Sequence, residues 1–305
     1  MRCIVEVDLV QAEWIVTAYL ANDPRMLEIV RTKVDPHVRT GSLISGAPEA
    51  FVVFEDKITG GMSDPDEIAR VRKHYLPLEW DGIPTSKFYL PYNMSIRQIG
   101  KKCNHGLNYG MEYRRFALET LLQEAQASII VSTYRNIAYP GLKDYYKRTL
   151  EELRRSDRSL TNCFKHKIQF RSRWDTELFN AAYSWKPQST VAAVTNYGMR
   201  AYYADTDRSM RDVHLLIQSH DSLVSDHGFS SFDELHTQIS RCRDHMTTVC
   251  EYSFHQFILD TEVKVGPTWG SRTKVKQVTP EGVEEALEAA AVTASEHERN
   301  AAQAA

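Results

Sequence analysis

The sequence predicts an α+β fold, with strands near both ends of the chain and a long helical stretch between them. Three observations carry this. RCIVEVDLV is rich in β-branched residues and ends on Asp8, LLIQSHDSLVS reads as two short strands about a tight His-Asp turn, and DTEVKVG reads as a last strand ahead of PTWG. From Tyr109 to about Arg155 the pattern is mostly helical, broken at AYPGL, where Pro140 and Gly141 force a turn.

Between these landmarks the helices announce themselves by their starts. NDPRMLEIVRT has Asp23 as cap and Pro24 in the first turn, and DPDEIARVRKHY repeats the device with Asp64, Pro65 and Glu67. The stretch from Gly41 to Asn93 is irregular. SSFDELHTQISRCRDHMTTV reads as a helix opened by a capping box from Ser231 to Glu234. The alanine- and glutamate-rich end, residues 280–305, lacks core formers and is expected to be a disordered tail or a frayed helix.

One helix has an unusual face. In RQIGKKCNHGLNYG, residues Arg97, Lys101, His105 and Tyr109 are four apart, so each lies only about 40° further round than the last. Two cations and two flat rings therefore share one side, and the Tyr-Gly pair that follows can end the helix.

Composition bounds the possibilities. The chain has 305 residues, 42% of them hydrophobic and 25% charged, enough for one large or two ordinary globular domains. No apolar run is long enough to span a membrane and the N-terminus carries carboxylates, so no membrane is expected and a cytoplasmic location is. The five cysteines, Cys3, Cys103, Cys163, Cys242 and Cys250, form no CxxC and read as free thiols. Cys242, His245, Cys250 and His255 have a faintly zinc-like spacing, but the first members fall on one helix, where structural thiols are the better reading. No GxxxxGK[ST] phosphate loop occurs.

The net charge of −3 conceals segregation: residues 97–173 hold 16 Lys and Arg against 7 Asp and Glu. Such a block is either a solvated helical face or a site that neutralises phosphates. The carboxylates sharpen the choice. Asp8 closes a strand and Asp221 sits at a hairpin tip, so only the fold can bring them together. Two carboxylates so placed repel unless a cation lies between them, and magnesium ions held there would suit phosphoryl displacement.

In order and spacing, these pieces resemble the family A DNA polymerases, the DNA polymerase I type, particularly those of bacteriophages. EVDLVQAEW resembles the family's first motif, which implies metal binding by Asp8 and the Leu9 carbonyl, a sugar-discriminating Glu13, and Gln11 near the nucleotide or primer end. DPHVRTG implies that His37 approaches the phosphates. RQIGKKCNHGLNYG is similar to the second motif, Arg-x3-Lys-x7-Tyr-Gly, on the fingers helix, and implies nucleotide contacts from Arg97, Lys101, His105 and Tyr109, with Gly110 at the DNA. KPQSTVAAVTN implies a template-primer contact from Gln188, and QSHDSLV places His220 at the primer terminus and Asp221 on the metals.

What the resemblance implies is a palm with a helical fingers insertion: residues 1–34 and 168–279 as palm, 35–167 as fingers, and 280–305 as the tail. The expected activity is DNA-directed DNA synthesis in replication, with two Mg2+ ions, dNTPs and a DNA primer-template. Asp8, Asp221 and Lys101 are its expected catalytic residues, Lys101 also as proton donor. The family's thumb and exonuclease lie upstream of its first motif, so a second polypeptide carrying them is expected. His105 stands where the family has Phe or Tyr, and Ser222 where the third motif, His-Asp-Glu, has its glutamate. The alternatives are a non-catalytic nucleic-acid-binding remnant and a two-metal phosphohydrolase.

Overall fold

The computed structural model describes residues 1–252 and 255–304. Strand β1 (Arg2–Leu9) leads into five helices, α1 (Ala12–Ala21), α2 (Pro24–Thr32), α3 (Pro36–Ser45), α4 (Glu49–Thr59) and α5 (Pro65–Tyr75). Asp23, Asp35 and Asp64 each accept backbone N–H groups of the first turn of α2, α3 and α5, and a proline follows each cap. Proline costs nothing there, since its missing N–H has no helical partner anyway. A two-strand hairpin, β2 (Glu79–Trp80) and β3 (Ile83–Pro84), precedes α6 (Ile96–Gly106). The irregular stretch after Gly41 is thus largely helical, with its own small core of Val38, Phe51, Val52, Phe88 and Ile96.

Helices α7 (Tyr113–Thr120), α8 (Glu124–Thr133) and α9 (Gly141–Arg155) follow, then hairpin β4 (Ser159–Thr161) and β5 (Lys167–Gln169). The long α10 (Thr176–Ala204) carries Pro187 inside it. The remainder is β6 (Val213–Ser219), β7 (Ser222–Gly228), α11 (Phe232–His245), hairpin β8 (Cys250–Tyr252) and β9 (His255–Phe257), β10 (Thr261–Gly266), β11 (Thr273–Lys274) and α12 (Pro280–Ala304).

The chain forms two compact units. One comprises residues 1–13 and 188–305, the other 14–187; the expected palm and fingers boundaries at 34/35 and 167/168 both lie inside the second. The first unit is built on a five-stranded antiparallel sheet in the order β11-β10-β1-β7-β6. Along β1 the odd residues Cys3, Val5, Val7 and Leu9 are buried and apolar, while Glu6 and Asp8 share the opposite face, as the two-residue period of a strand requires. Helix α11 packs on β1 and β7, and α12 packs on β10 and α11. Ser231 caps α11 by accepting the Glu234 N–H, but Glu234 returns its carboxylate to Ser230 rather than to Ser231. The alanine-rich end, expected to be disordered or frayed, is α12, with Val283, Ala286 and Ala290 buried at helical spacing.

The second unit is helical around a core that includes Trp14, Met26, Ile99, Cys103, Phe116, Tyr134, Tyr139 and Leu142. Helices α3 and α6 lie close enough that a Cβ on Gly100 would stand 2.2 Å from the His37 carbonyl oxygen, and one on Gly41 2.7 Å from that of Ile96. Glycine at both positions is what permits that approach.

Candidate active site

In the sheet unit, pairing of β1 with β7 sets Asp8 opposite Ser222, and the Leu9 N–H donates to the Asp221 carbonyl oxygen at 3.2 Å. The two aspartates, more than two hundred residues apart in sequence, are therefore neighbours. Burial and the charge of Asp221 push the Asp8 carboxyl up to about 6, against the pull of Lys264 and with smaller additions from Glu6 and Glu262. His220 adopts a left-handed φ of 52° in the two-residue turn before Asp221 and is exposed. Leu9 buries its side chain, Gln11 has a φ of 50° just after the strand, and Glu13 lies in the first turn of α1. Gln188 is exposed on α10.

The sheet adds charges that motif reasoning missed. Glu6 is buried on the Asp8 face, where Ser222 Oγ donates to its Oε1 at 3.3 Å and Arg272 Nη1 lies 3.0 Å from its Oε2. Thus the position that lacks the expected glutamate instead binds a carboxylate from the next strand. Glu262, opposite Asp8, pairs with Lys274 at 2.6 Å; burial raises its carboxyl, but the two lysines outweigh that and hold it below the usual range. The signal was legible, since residues two apart on a strand share a face and both EVD and EVK alternate charge.

In the helical unit, α6 carries Arg97, Lys101 and His105 on the predicted four-residue spacing. A single 3-10 turn, Leu107–Tyr109, follows, and Gly110 ends it at a φ of 84°. A side chain at Gly110 would also meet Asn180 Oδ1 at 2.4 Å, so glycine is required there on two counts. Arg97 donates twice to Asp35 Oδ2, at 2.9 and 2.7 Å, which outweighs burial and keeps that carboxyl low. Lys101 is exposed.

His37 joins this face from α3. Its ring centroid is 5.8 Å from that of His105, and burial, reinforced by Arg97, His105 and Lys101 against the pull of Asp35, lowers its imidazole to about 4. It is neutral at pH 7. Asn104 Nδ2, an obligate donor, lies 3.0 Å from His37 Nδ1, so Nδ1 accepts and Nε2 carries the proton. Asn104 is fixed in turn: its Nδ2 donates to the Pro36 carbonyl, and its Oδ1 accepts from Thr40 and Tyr134.

The start of α6 is held by a buried ionic network. Glu55 Oε2 accepts the Ile96 N–H at 2.8 Å, Glu55 Oε1 accepts from Arg72 Nε and Nη2 at 3.0 and 2.6 Å, and Arg72 reaches the Met94 and Pro91 carbonyls. Ser95 caps the helix through the Gln98 N–H and donates to Asp56. No sequence motif pointed to this network.

Among the described residues no group of three or more His, Cys, Asp or Glu side chains converges as a metal cage. In the zinc-like tetrad, Cys242 is buried and His245 is taken by Asp205 at 2.7 Å. No described helix is long and apolar enough to cross a membrane.

The sheet unit thus carries neighbouring carboxylates, and the helical unit carries a cationic face. The profile of DNA polymerase family A matches residues 88–271, and the chain belongs to that family. Its fold is similar to that of the POL domain of Pol1 from M. smegmatis, solved in complex with DNA primer-template and dNTP. The TM-score is 0.63 at 17% identity, and the match covers 88% of this chain and 40% of that one. This chain therefore spans well under half the length of that polymerase. No curated protein sequence matches it.

Proposed function

We propose that the chain carries out template-directed transfer of a deoxynucleotide from a dNTP to a primer 3′-hydroxyl, with residues 1–34 and 168–279 as palm and residues 35–167 as fingers. The observation that carries this is the juxtaposition of Asp8 and Asp221, whose mutual repulsion and burial hold Asp8 at about 6. Hard carboxylate oxygens fit Mg2+. Ions held by Asp8, Asp221 and the Leu9 carbonyl would acidify the attacking hydroxyl and neutralise the leaving pyrophosphate.

The chain's own side chains supply the rest. Lys101, exposed on α6, neutralises the triphosphate and donates a proton to the leaving group. Arg97, preset by Asp35, holds a fixed guanidinium for the phosphates. Neutral His37 offers its Nε2 proton to a phosphate oxygen. His105 and Tyr109 meet sugar and base, while Gln11 and Glu13 bound the sugar pocket. Gln188, His220 and Gly110 contact the primer-template, whose sequence is read by base pairing rather than by these side chains.

Because the chain spans 40% of the length of the solved polymerase, synthesis is to be tested with it alone and with a family A fragment supplying the remainder. The expected result is Mg2+-dependent primer extension that Asp221→Asn abolishes in both settings where the wild type extends. Equal extension by wild type and Asp221→Asn in the presence of the complementing fragment would favour a chain that binds nucleic acid without catalysing. Phosphate release from nucleotides without a primer would point instead to a phosphohydrolase.

A further inference from the structure

We propose that Lys264 is a resident counter-cation of the carboxylate group and sets how tightly that group takes a divalent metal ion; this rests on the reading of Asp8 and Asp221 as metal ligands. The position of Lys264 follows from strand pairing. In the β1–β10 register Lys264 stands directly opposite Glu6, and the next same-face pair is Asp8 with Glu262. Its ammonium consequently lies among three carboxylates, 3.3 Å from Glu6 Oε2, 3.5 Å from Asp8 Oδ2 and 3.2 Å from Glu262 Oε1.

The neighbouring cations are already engaged. Arg272 pairs with Glu6 at 3.0 Å and lies over the Trp269 ring, 4.5 Å from its centroid, while Lys274 pairs with Glu262 at 2.6 Å. Among the described residues Lys264 is the cation that forms an ion pair with Asp8, and Asp221 forms none. A metal ion on Asp8 must then either push the ammonium aside or bind a few ångströms from it, and like charges at that distance repel by more than the thermal energy even in water. The lysine keeps the carboxylates together before metal arrives and weakens metal binding for the same reason.

Mn2+ binding to the full-length chain, followed by loss of the free-ion electron paramagnetic resonance signal, tests this without any turnover. Lys264→Met should bind Mn2+ at least tenfold more tightly than wild type, and Lys264→Arg, which keeps the charge, should stay within about threefold of it. Should Lys264→Met fold poorly, Lys264→Gln, which removes the charge but keeps a polar group among the carboxylates, should likewise bind more tightly. Affinity unchanged or weakened in the folded neutral variants overturns the proposal. If Asp8→Asn and Asp221→Asn leave Mn2+ affinity untouched, it is instead the metal-site reading that fails.

Discussion

Replacing Arg72 by methionine would leave Glu55 as a wholly buried carboxylate with no cation. Glu55 then keeps only the Thr59 hydroxyl and the Ile96 N–H as donors, and the Pro91 and Met94 carbonyls lose their partner. Removing one member of a buried pair costs about 3–5 kcal/mol, far more than the roughly 0–1 kcal/mol of an exposed one, because the remaining charge stays desolvated. For a domain of this size about 2–4 °C of Tm accompanies each kcal/mol, so Arg72→Met should lower the melting temperature of the helical unit by roughly 6–20 °C. Scanning calorimetry measures this, with urea unfolding as a check. The double variant with Glu55→Gln should recover a substantial part, since it removes the orphaned charge. A loss below about 1 kcal/mol for Arg72→Met would show that water or another group already compensates Glu55, and the network would then not hold the start of α6.

Three further outcomes follow from the geometry. Gly100→Ala would favour an isolated helix by about 1 kcal/mol, but here its Cβ would stand 2.2 Å from the His37 carbonyl oxygen; the variant should instead be destabilised by about 1–3 kcal/mol in urea titration, and a gain in stability would contradict the close α3–α6 contact. His37 and His227 are both depressed to about 4 by burial, so the unfolded chain, with ordinary histidines near 6.5, takes up protons first; their stabilisation is complete above pH 6.5 and is lost as pH falls toward 4. At pH 5 this amounts to about 2 kcal/mol each, offset by about 1 kcal/mol from Asp8, whose raised value works in the opposite direction; a urea midpoint unchanged between pH 7.5 and 5 would refute it. Asp8→Asn in metal-free buffer at pH 7.5 should stabilise the sheet unit by about 1–3 kcal/mol, because a carboxyl raised to about 6 is ionised there at a cost, while primer extension is abolished; destabilisation would show that the Lys264 pairing outweighs the repulsion.

Much of the candidate site was legible because its signals are local. The four-residue spacing from Arg97 to His105 fixes one helical face, although Tyr109, expected on it, falls in the 3-10 turn beyond the helix; Gly110 marks the left-handed end, and the His220–Asp221 pair sits in a two-residue hairpin turn. Caps at Asp23, Asp35 and Asp64 likewise involve residues two or three apart. Each depends on backbone periodicity or a short-range hydrogen bond, which a linear sequence displays.

Other features depended on partners that sequence proximity does not supply. The resemblance implies that Arg97 contacts the nucleotide, but the bond to Asp35 that presets it spans 62 residues. Glu55 reaches Ile96 across 41, and only the folding of α4 against α6 sets that meeting. The substitution of Ser222 looked like the loss of a carboxylate, whereas antiparallel pairing brings Glu6 to it from the far end of the chain. The tail lacks obvious core formers, yet among the residues whose burial is described Val283, Ala286 and Ala290 are buried on α12, which packs on α11 and β10. By itself the sequence determined which residues line each helix face and strand end; the tertiary structure alone decided which charges meet, because ion-pair energy depends on separations of a few ångströms that only strand register and helix packing fix.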